Sequence, residues 1–231
     1  MSSWIRGLGF ALCVTIAAGS ANASELNKVI APPALDAAST GNTQTIVLAA
    51  GCFWGIQGVY QHVKGVTRVL AGYAGGTKQT ATYDQVTTET TGHAESVEIT
   101  FDPKQVSLGR LLQIYFSVAH DPTELNRQGP DEGTSYRSAV FFADADQQKV
   151  ARAYIDQLNK AKIFSRPIAT TLEPLKGFYM AEGYHQDYLI GHPTQPYIVY
   201  NDLPKVAALK RVYPEVYRDD PVRVPAALLR K

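Results

Sequence analysis

Residues 45–55 read Thr45-Ile46-Val47-Leu48-Ala49-Ala50-Gly51-Cys52-Phe53-Trp54-Gly55. The run from 45 to 49 is short and apolar, as a buried strand requires. Gly51 permits a tight turn behind it. Residues 52 to about 63 then read as a helix. Cys52 would lie in its first turn, where unpaired N–H groups and the positive dipole end stabilise an anion. A thiol placed there is expected to ionise more readily than a free one. The two aromatics that follow can wall the sulfur. Position alone equally allows a buried structural cysteine beside two core aromatics.

Working outward, residues 68–73 read as a strand closed by Gly75-Gly76. Residues 94–101 alternate at Val97, Ile99 and Phe101 and stop at Asp102-Pro103, a third strand. Residues 108–119 place Leu111, Leu112, Tyr115, Phe116 and Ala119 at helical spacing. Residues 138–142 and 168–172 read as strands. Residues 144–162 form the clearest amphipathic helix, with Val150, Tyr154, Ile155 and Leu158 on one face. Residues 180–190 read as a short helix. Helices and strands alternate, with some strands adjacent, so the class is α+β in a single domain over 44–217. Residues 24–43 are rich in Ala, Ser, Thr, Asn and Pro and read as a linker. Residues 218–231 form a C-terminal tail. From Tyr200 onward, basic residues alternate with Asp202, Glu215, Asp219 and Asp220, the pattern of a solvated surface.

The N-terminus predicts a signal peptide over 1–23: Arg6, an apolar stretch over 8–18, and Ala21-Asn22-Ala23 as a small-x-small cleavage site. That stretch is shorter than the roughly 20 residues a membrane span needs. The chain is therefore expected in the periplasm or secreted, with no membrane attachment. Net charge is +1, and cleavage removes Arg6 and no acid, leaving zero. Such a balance argues against a nucleic-acid partner. The two cysteines are Cys13 and Cys52. Cleavage leaves one, so the mature chain has no internal disulfide.

Three further segments are dense in chemistry. Gly92-His93-Ala94-Glu95 enters a strand whose next residues are apolar at alternate positions. Glu95 thus reads either as an acid with a raised pKa at the strand's mouth or as an ordinary exposed carboxylate. A long polar loop runs from His120 to Ser138 and offers Asp131 and Tyr136 as pocket groups, or holds itself together structurally. Ala181-Glu182-Gly183-Tyr184-His185-Gln186 supports a site or caps a core. His93, His120, His185 and Cys52 lack tight ligand spacing, so no metal is expected.

Together these segments resemble the methionine sulfoxide reductases of the A type, which act on the S epimer. The resemblance rests on Gly51 to Gly55, Gly72-Tyr73 to Gly75-Gly76, Gly92 to Glu95, the Asn126 to Ser138 loop, and Ala181 to Gln186, in that order. It implies a two-layer sandwich with a ferredoxin-like core, free or protein-bound methionine sulfoxide as substrate, and no cofactor. By resemblance Cys52 is the nucleophile and Glu95 the acid that protonates the sulfoxide oxygen. Tyr83 and Tyr136 hold that oxygen. Phe53 and Trp54 receive the methyl group, with Asp131 and His185 supporting the substrate pocket. Attack leaves a sulfenic acid on Cys52.

Many members of that family carry resolving cysteines toward the C-terminus, and no cysteine follows Cys52 here. The expected reductant is therefore an external thiol, thioredoxin-like or glutaredoxin-like, acting on a monomer. Ser135 stands where a bulkier amide is common, a change not expected to abolish activity. A cysteine hydrolase built from Cys52, His185 and Glu95 is the enzymatic rival. A non-catalytic sulfoxide-binding protein is the other.

Overall fold

The apolar run after Gln44 forms strand β1 (Gln44–Ala50), with its last five residues buried. The structure is a computed structural model that describes residues 27–38 and 41–229; the expected signal peptide and Cys13 lie outside the described residues. β1 turns at Gly51 into helix α1 (Phe53–Gln61). Strand β2 (Val66–Ala74), the short helix α2 (Tyr83–Val86) and strand β3 (Ala94–Phe101) follow. Helix α3 (Leu108–Ile114) continues through a π-type turn at Tyr115–Ala119. Next come β4 (Arg127–Gln128), β5 (Asp131–Glu132) and β6 (Ser138–Phe142), then α4 (Ala145–Lys160). The chain continues as β7 (Thr171–Pro174), β8 (Phe178–Met180), α5 (Tyr188–Gly191) and α6 (Leu203–Val212).

Six strands form one sheet in the order β7-β6-β1-β3-β2-β8. All neighbours are antiparallel except β6 and β7. β1 is apolar on successive residues because both its faces are covered. Ile46, Leu48 and Ala50 join the main core with α1, α3 and α4. Val47 and Ala49 join a small second cluster with Ala139 and Phe141, packed against Leu175 and Phe178. Each fully buried Val, Leu, Ile or Phe among these contributes roughly 1.5–3 kcal/mol. α4 buries Val150, Ala151, Tyr154, Ile155 and Leu158 on one face, and Asp144 caps it by accepting from the Gln147 N–H at 2.8 Å.

Four expectations need correction. The linker reading does not describe residues 27–38, which lack regular structure yet are strapped to the domain. Ile30 is buried in the main core, the Tyr154 hydroxyl donates to the Ala31 carbonyl at 2.7 Å, and the Gly109 N–H donates to Asp36 at 2.7 Å. The expected helix over 180–190 is instead strand β8, a 3-10 turn at Gly183–His185 and α5, because residues 178–180 pair with β2. Gln186 extends that pairing: its amide accepts from the Ala71 N–H at 2.9 Å and donates to the Ala71 carbonyl at 2.8 Å. Asp187 then takes a left-handed φ of 54°, which no helix continues through. The strand expected over 168–172 sits later, at Thr171–Pro174, in parallel register with β6. Residues 200–229 are more than a solvated surface: Asp202 is fully buried, α6 buries Val206, Ala208 and Leu209, and Val224 is buried beyond it.

Candidate active site

β1 delivers the chain to Gly51 with φ +81°, a left-handed turn that opens α1. A Cβ on Gly51 would stand 2.5 Å from Gln128 Cβ. Both the backbone angle and the space therefore require glycine. Gly51→Ala is expected to destabilise the fold by about 2 kcal/mol or more, read as a lower thermal midpoint; an unchanged midpoint would show that the turn tolerates a side chain. Four residues on, a Cβ on Gly55 would meet Asp202 Oδ1 at 2.1 Å. Gly55 is what lets the Asp202 segment press against the first turn of α1.

Cys52 is the N-cap residue of α1 and is 8% exposed. The expectation of a readily ionised thiol is corrected by its surroundings. Burial pushes the thiol pKa well up, and the Glu95 and Asp202 carboxyls push it further. The Trp54 N–H at the helix start and the Lys205 ammonium oppose this and lose. The helix contributes as expected, but the energy of stripping water from a thiolate is larger.

Glu95 reaches the same place along β3. Val97 pairs with Leu48 of β1, so Glu95, two residues earlier, lies by the end of β1 where the chain turns to Cys52. Its carboxyl accepts a hydrogen bond from the Phe53 N–H at 3.0 Å. It is 3% exposed. Burial raises its pKa to about 8, and Asp131, Glu89 and Asp202 add to the rise against the Phe53 bond. Glu95 is therefore a neutral acid at pH 7, not an exposed carboxylate.

One cavity of about 110 Å³ brings together Cys52, Phe53, Trp54, Tyr83, Glu95, Asp131, Tyr136 and Tyr197. Seven of these eight were singled out by the sequence. Burial first, then the negative charge of Glu95, raises the pKa of Tyr83 and Tyr136, so both hydroxyls stay protonated donors. α2 carries Tyr83, whose N–H donates to Glu182 at 2.9 Å. The His120–Ser138 loop is less irregular than expected. β4 and β5 make a small hairpin that presents Asp131, and a 3-10 turn at Thr134–Tyr136 presents Tyr136. Ser135 holds that turn, donating from its N–H and Oγ to Glu89 at 2.8 and 2.6 Å.

His185 does not line the cavity. It stands behind it, accepting at Nδ1 from the Trp54 indole N–H at 3.2 Å, with its ring 5.0 Å from Phe53 and 4.6 Å from Tyr83. Tyr188 stacks on Trp54 at 3.8 Å and 11°. These contacts hold the aromatic wall rigid. No imidazole lines the cavity with Cys52, which removes the base that a cysteine hydrolase needs. His93 ties the Gly76 turn, accepting from the Gly76 N–H at 3.2 Å. His120 is held neutral by burial, its pKa lowered to about 3, and bridges the Tyr115 carbonyl and Ser138 hydroxyl.

Sequence reasoning missed Tyr197, whose hydroxyl donates to Asp131. It also misread Asp202, which pairs with Lys205 at 3.1 Å. Both sit in 197–205, a stretch whose charges look like surface. The signal available was Pro196-Tyr197-Ile198 ahead of Pro204, an aromatic and an aliphatic residue entering a helix.

A family model described as peptide methionine sulfoxide reductase matches residues 44–216. The chain is 57% identical over 193 residues to the peptide methionine sulfoxide reductase MsrA 2 of Mesorhizobium japonicum, covering 84% of this chain and 99% of that protein. It is 46% identical over 204 residues to the MsrA 2 of Synechocystis, 87% of this chain and 95% of the other. Among solved structures it resembles methionine sulfoxide reductase A of Corynebacterium diphtheriae at 34% identity and TM-score 0.58, covering 68% of this chain and 78% of that one. It also resembles the reduced form of Mxr1 from Saccharomyces cerevisiae at 33% identity and TM-score 0.60, covering 73% and 94%.

Proposed function

Since the chain belongs to the peptide methionine sulfoxide reductase family, we propose the following assignment of its reaction to its residues. It reduces the S-sulfoxide of free or protein-bound methionine, a repair of oxidative damage. The observation that carries the assignment is a buried, neutral Glu95 in one cavity with Cys52 and Trp54.

A sulfoxide sulfur resists attack until its oxygen is protonated. Glu95 supplies that proton while Tyr83 and Tyr136 donate hydrogen bonds to the oxygen. Phe53 and Trp54 receive the methyl group, which fixes which epimer presents its sulfur to Cys52. Asp131, oriented by Tyr197, supports the polar side, and His185 positions Trp54. As Cys52 attacks, its own proton replaces the one that Glu95 gives up. The oxygen leaves the substrate on Cys52 as a sulfenic acid, and methionine departs. Two thiol equivalents from an external reductant, thioredoxin-like or glutaredoxin-like, then restore the thiol and release water. The lone cysteine among the described residues supports this external route.

The test is a single turnover without reductant. One equivalent of methionine per enzyme is expected from the S epimer and none from the R epimer. Release from the R epimer, or from neither, would overturn the assignment.

Two further readings stand as proposals. The strand order β6-β1-β3-β2, with α1 and α3 as connections, supports a two-layer ferredoxin-like core. Arg6, the apolar stretch over 8–18 and Ala21-Asn22-Ala23 support export to the periplasm or beyond. N-terminal sequencing of protein recovered from outside the cytoplasm should begin at Ser24; a start at Met1 would defeat the export reading.

A further inference from the structure

Cys52 also lines a second cavity, of about 190 Å³, whose other walls come from Asn27, Val118, the hairpin at 128–131 and residues 197–205. Only Cys52, Asp131 and Tyr197 border both cavities. The Tyr197–Asp131 hydrogen bond is thus a wall common to the two. The second cavity has neither Glu95 nor the Tyr83 and Tyr136 hydroxyls. It lacks every group that the sulfoxide step uses on the oxygen. What it has instead is Lys205, its one basic lining residue, from the first turn of α6. The Lys205 ammonium hydrogen-bonds to Asp202 alone among the described residues, and its side chain is 11% exposed. Tyr200, 78% exposed, stands at the rim.

We propose that this second cavity is the entry site of the reducing thiol, and that it takes a small thiol bearing a carboxylate, which Lys205 anchors. The proposal rests on the sulfoxide reductase reading above. Displacement at a sulfenic acid needs the incoming thiolate in line with the departing oxygen. That oxygen was delivered from the cavity of Glu95, Tyr83 and Tyr136, so the thiolate must approach Cys52 from elsewhere. The second cavity is that approach. A thiolate attacks Cys52 Sγ, the S–O bond breaks, and the hydroxide takes a proton and leaves as water. The product is a mixed disulfide on Cys52. A second thiolate attacks the sulfur of the bound thiol, releasing the Cys52 thiolate and a small disulfide. Two thiols are oxidised to one disulfide, and the sulfenic acid is reduced to thiol. The small volume and the burial of Cys52 admit a small thiol to the sulfur first; the second thiolate, which resolves the mixed disulfide, can then come from the thioredoxin-like or glutaredoxin-like reductant.

The experiment uses the whole chain in two stages. Enzyme is first turned over once with the S-sulfoxide and no thiol, and released methionine is counted. Absence of methionine at this stage overturns the reductase reading and not the entry site. Decay of the Cys52 sulfenic acid is then timed with mercaptoacetate, which carries a carboxylate besides its thiolate, and with 2-mercaptoethanol, which has no carboxylate. Each thiol is compared with itself across variants, so intrinsic reactivity cancels. In Lys205→Met the mercaptoacetate rate is expected to fall about tenfold, while the 2-mercaptoethanol rate moves less than about twofold. Tyr200→Glu and Tyr200→Lys, at an exposed position that the fold does not need, should slow and speed mercaptoacetate selectively by about threefold. They keep the test decisive should Lys205→Met not fold. Equal effects on both thiols, no effect on either, or a sulfenic acid that only a protein dithiol reduces would overturn the proposal.

Discussion

Glu95→Gln is expected to slow methionine release in a single turnover by two to four orders of magnitude, about 10²–10⁴-fold. The amide preserves the shape of the side chain and the acceptor for the Phe53 N–H, a bond of 3.0 Å. What disappears is the transferable proton. The pH profile isolates that loss. With its pKa at about 8, wild-type Glu95 is protonated below that value, so the rate should fall as pH rises through it. The variant should lack that limb. Stability should also fall as pH rises. An unfolded Glu titrates near its ordinary 4.5, so between 4.5 and about 8 the folded chain holds a proton that the unfolded chain has lost. Raising pH through that window therefore weakens the wild-type fold. Denaturant melts at the two ends of the window should show the variant gaining on wild type toward the alkaline end. Parallel curves would mean that Glu95 ionises normally and is not the acid.

Cys52→Ser should abolish turnover, by more than about 10⁴-fold, while the fold persists. The reason is chemical as much as acidic. Sulfur accepts the sulfoxide oxygen as a sulfenic acid, whereas a serine oxygen would have to form an O–O bond. The substitution removes little volume from a site that is 8% exposed, so the thermal midpoint should move by only a few degrees. The check is methionine release beside a trap for the sulfenic acid: wild type should label at Cys52 and the variant not at all. Turnover surviving in the folded variant would place the nucleophile elsewhere.

The parts of this protein that were legible in its sequence are those decided by neighbours along the chain. Residues 45–55 announced a strand, a glycine turn and a helix, because apolar runs, left-handed glycine and helix starts are local properties. Residues 94–101 matched β3 at both ends because alternation ran unbroken up to Asp102-Pro103. The amphipathic face of α4 was read correctly for the same reason. The helix reading of residues 180–190 failed because the conformation there follows from the pairing of β8 with β2, more than a hundred residues away in sequence. Residues 27–38 failed because an irregular segment shows no period even when Ile30 is buried.

The sequence by itself determined which atoms are available: one thiol beside two aromatics, a glutamate entering a strand, and two tyrosines in polar segments. The tertiary structure alone decided what those atoms are at neutral pH. Cys52 looked like a thiol made acidic by a helix, and burial reverses that. Glu95 could have been an exposed carboxylate, and burial makes it a neutral acid. Asp202 and Lys205 read as surface charges, yet the missing side chain of Gly55 admits Asp202 against α1, where the pair forms beside Cys52. The physical reason is common to all three. Proton affinity depends on how much water the rest of the chain removes from a group, and that quantity exists only once distant segments have packed.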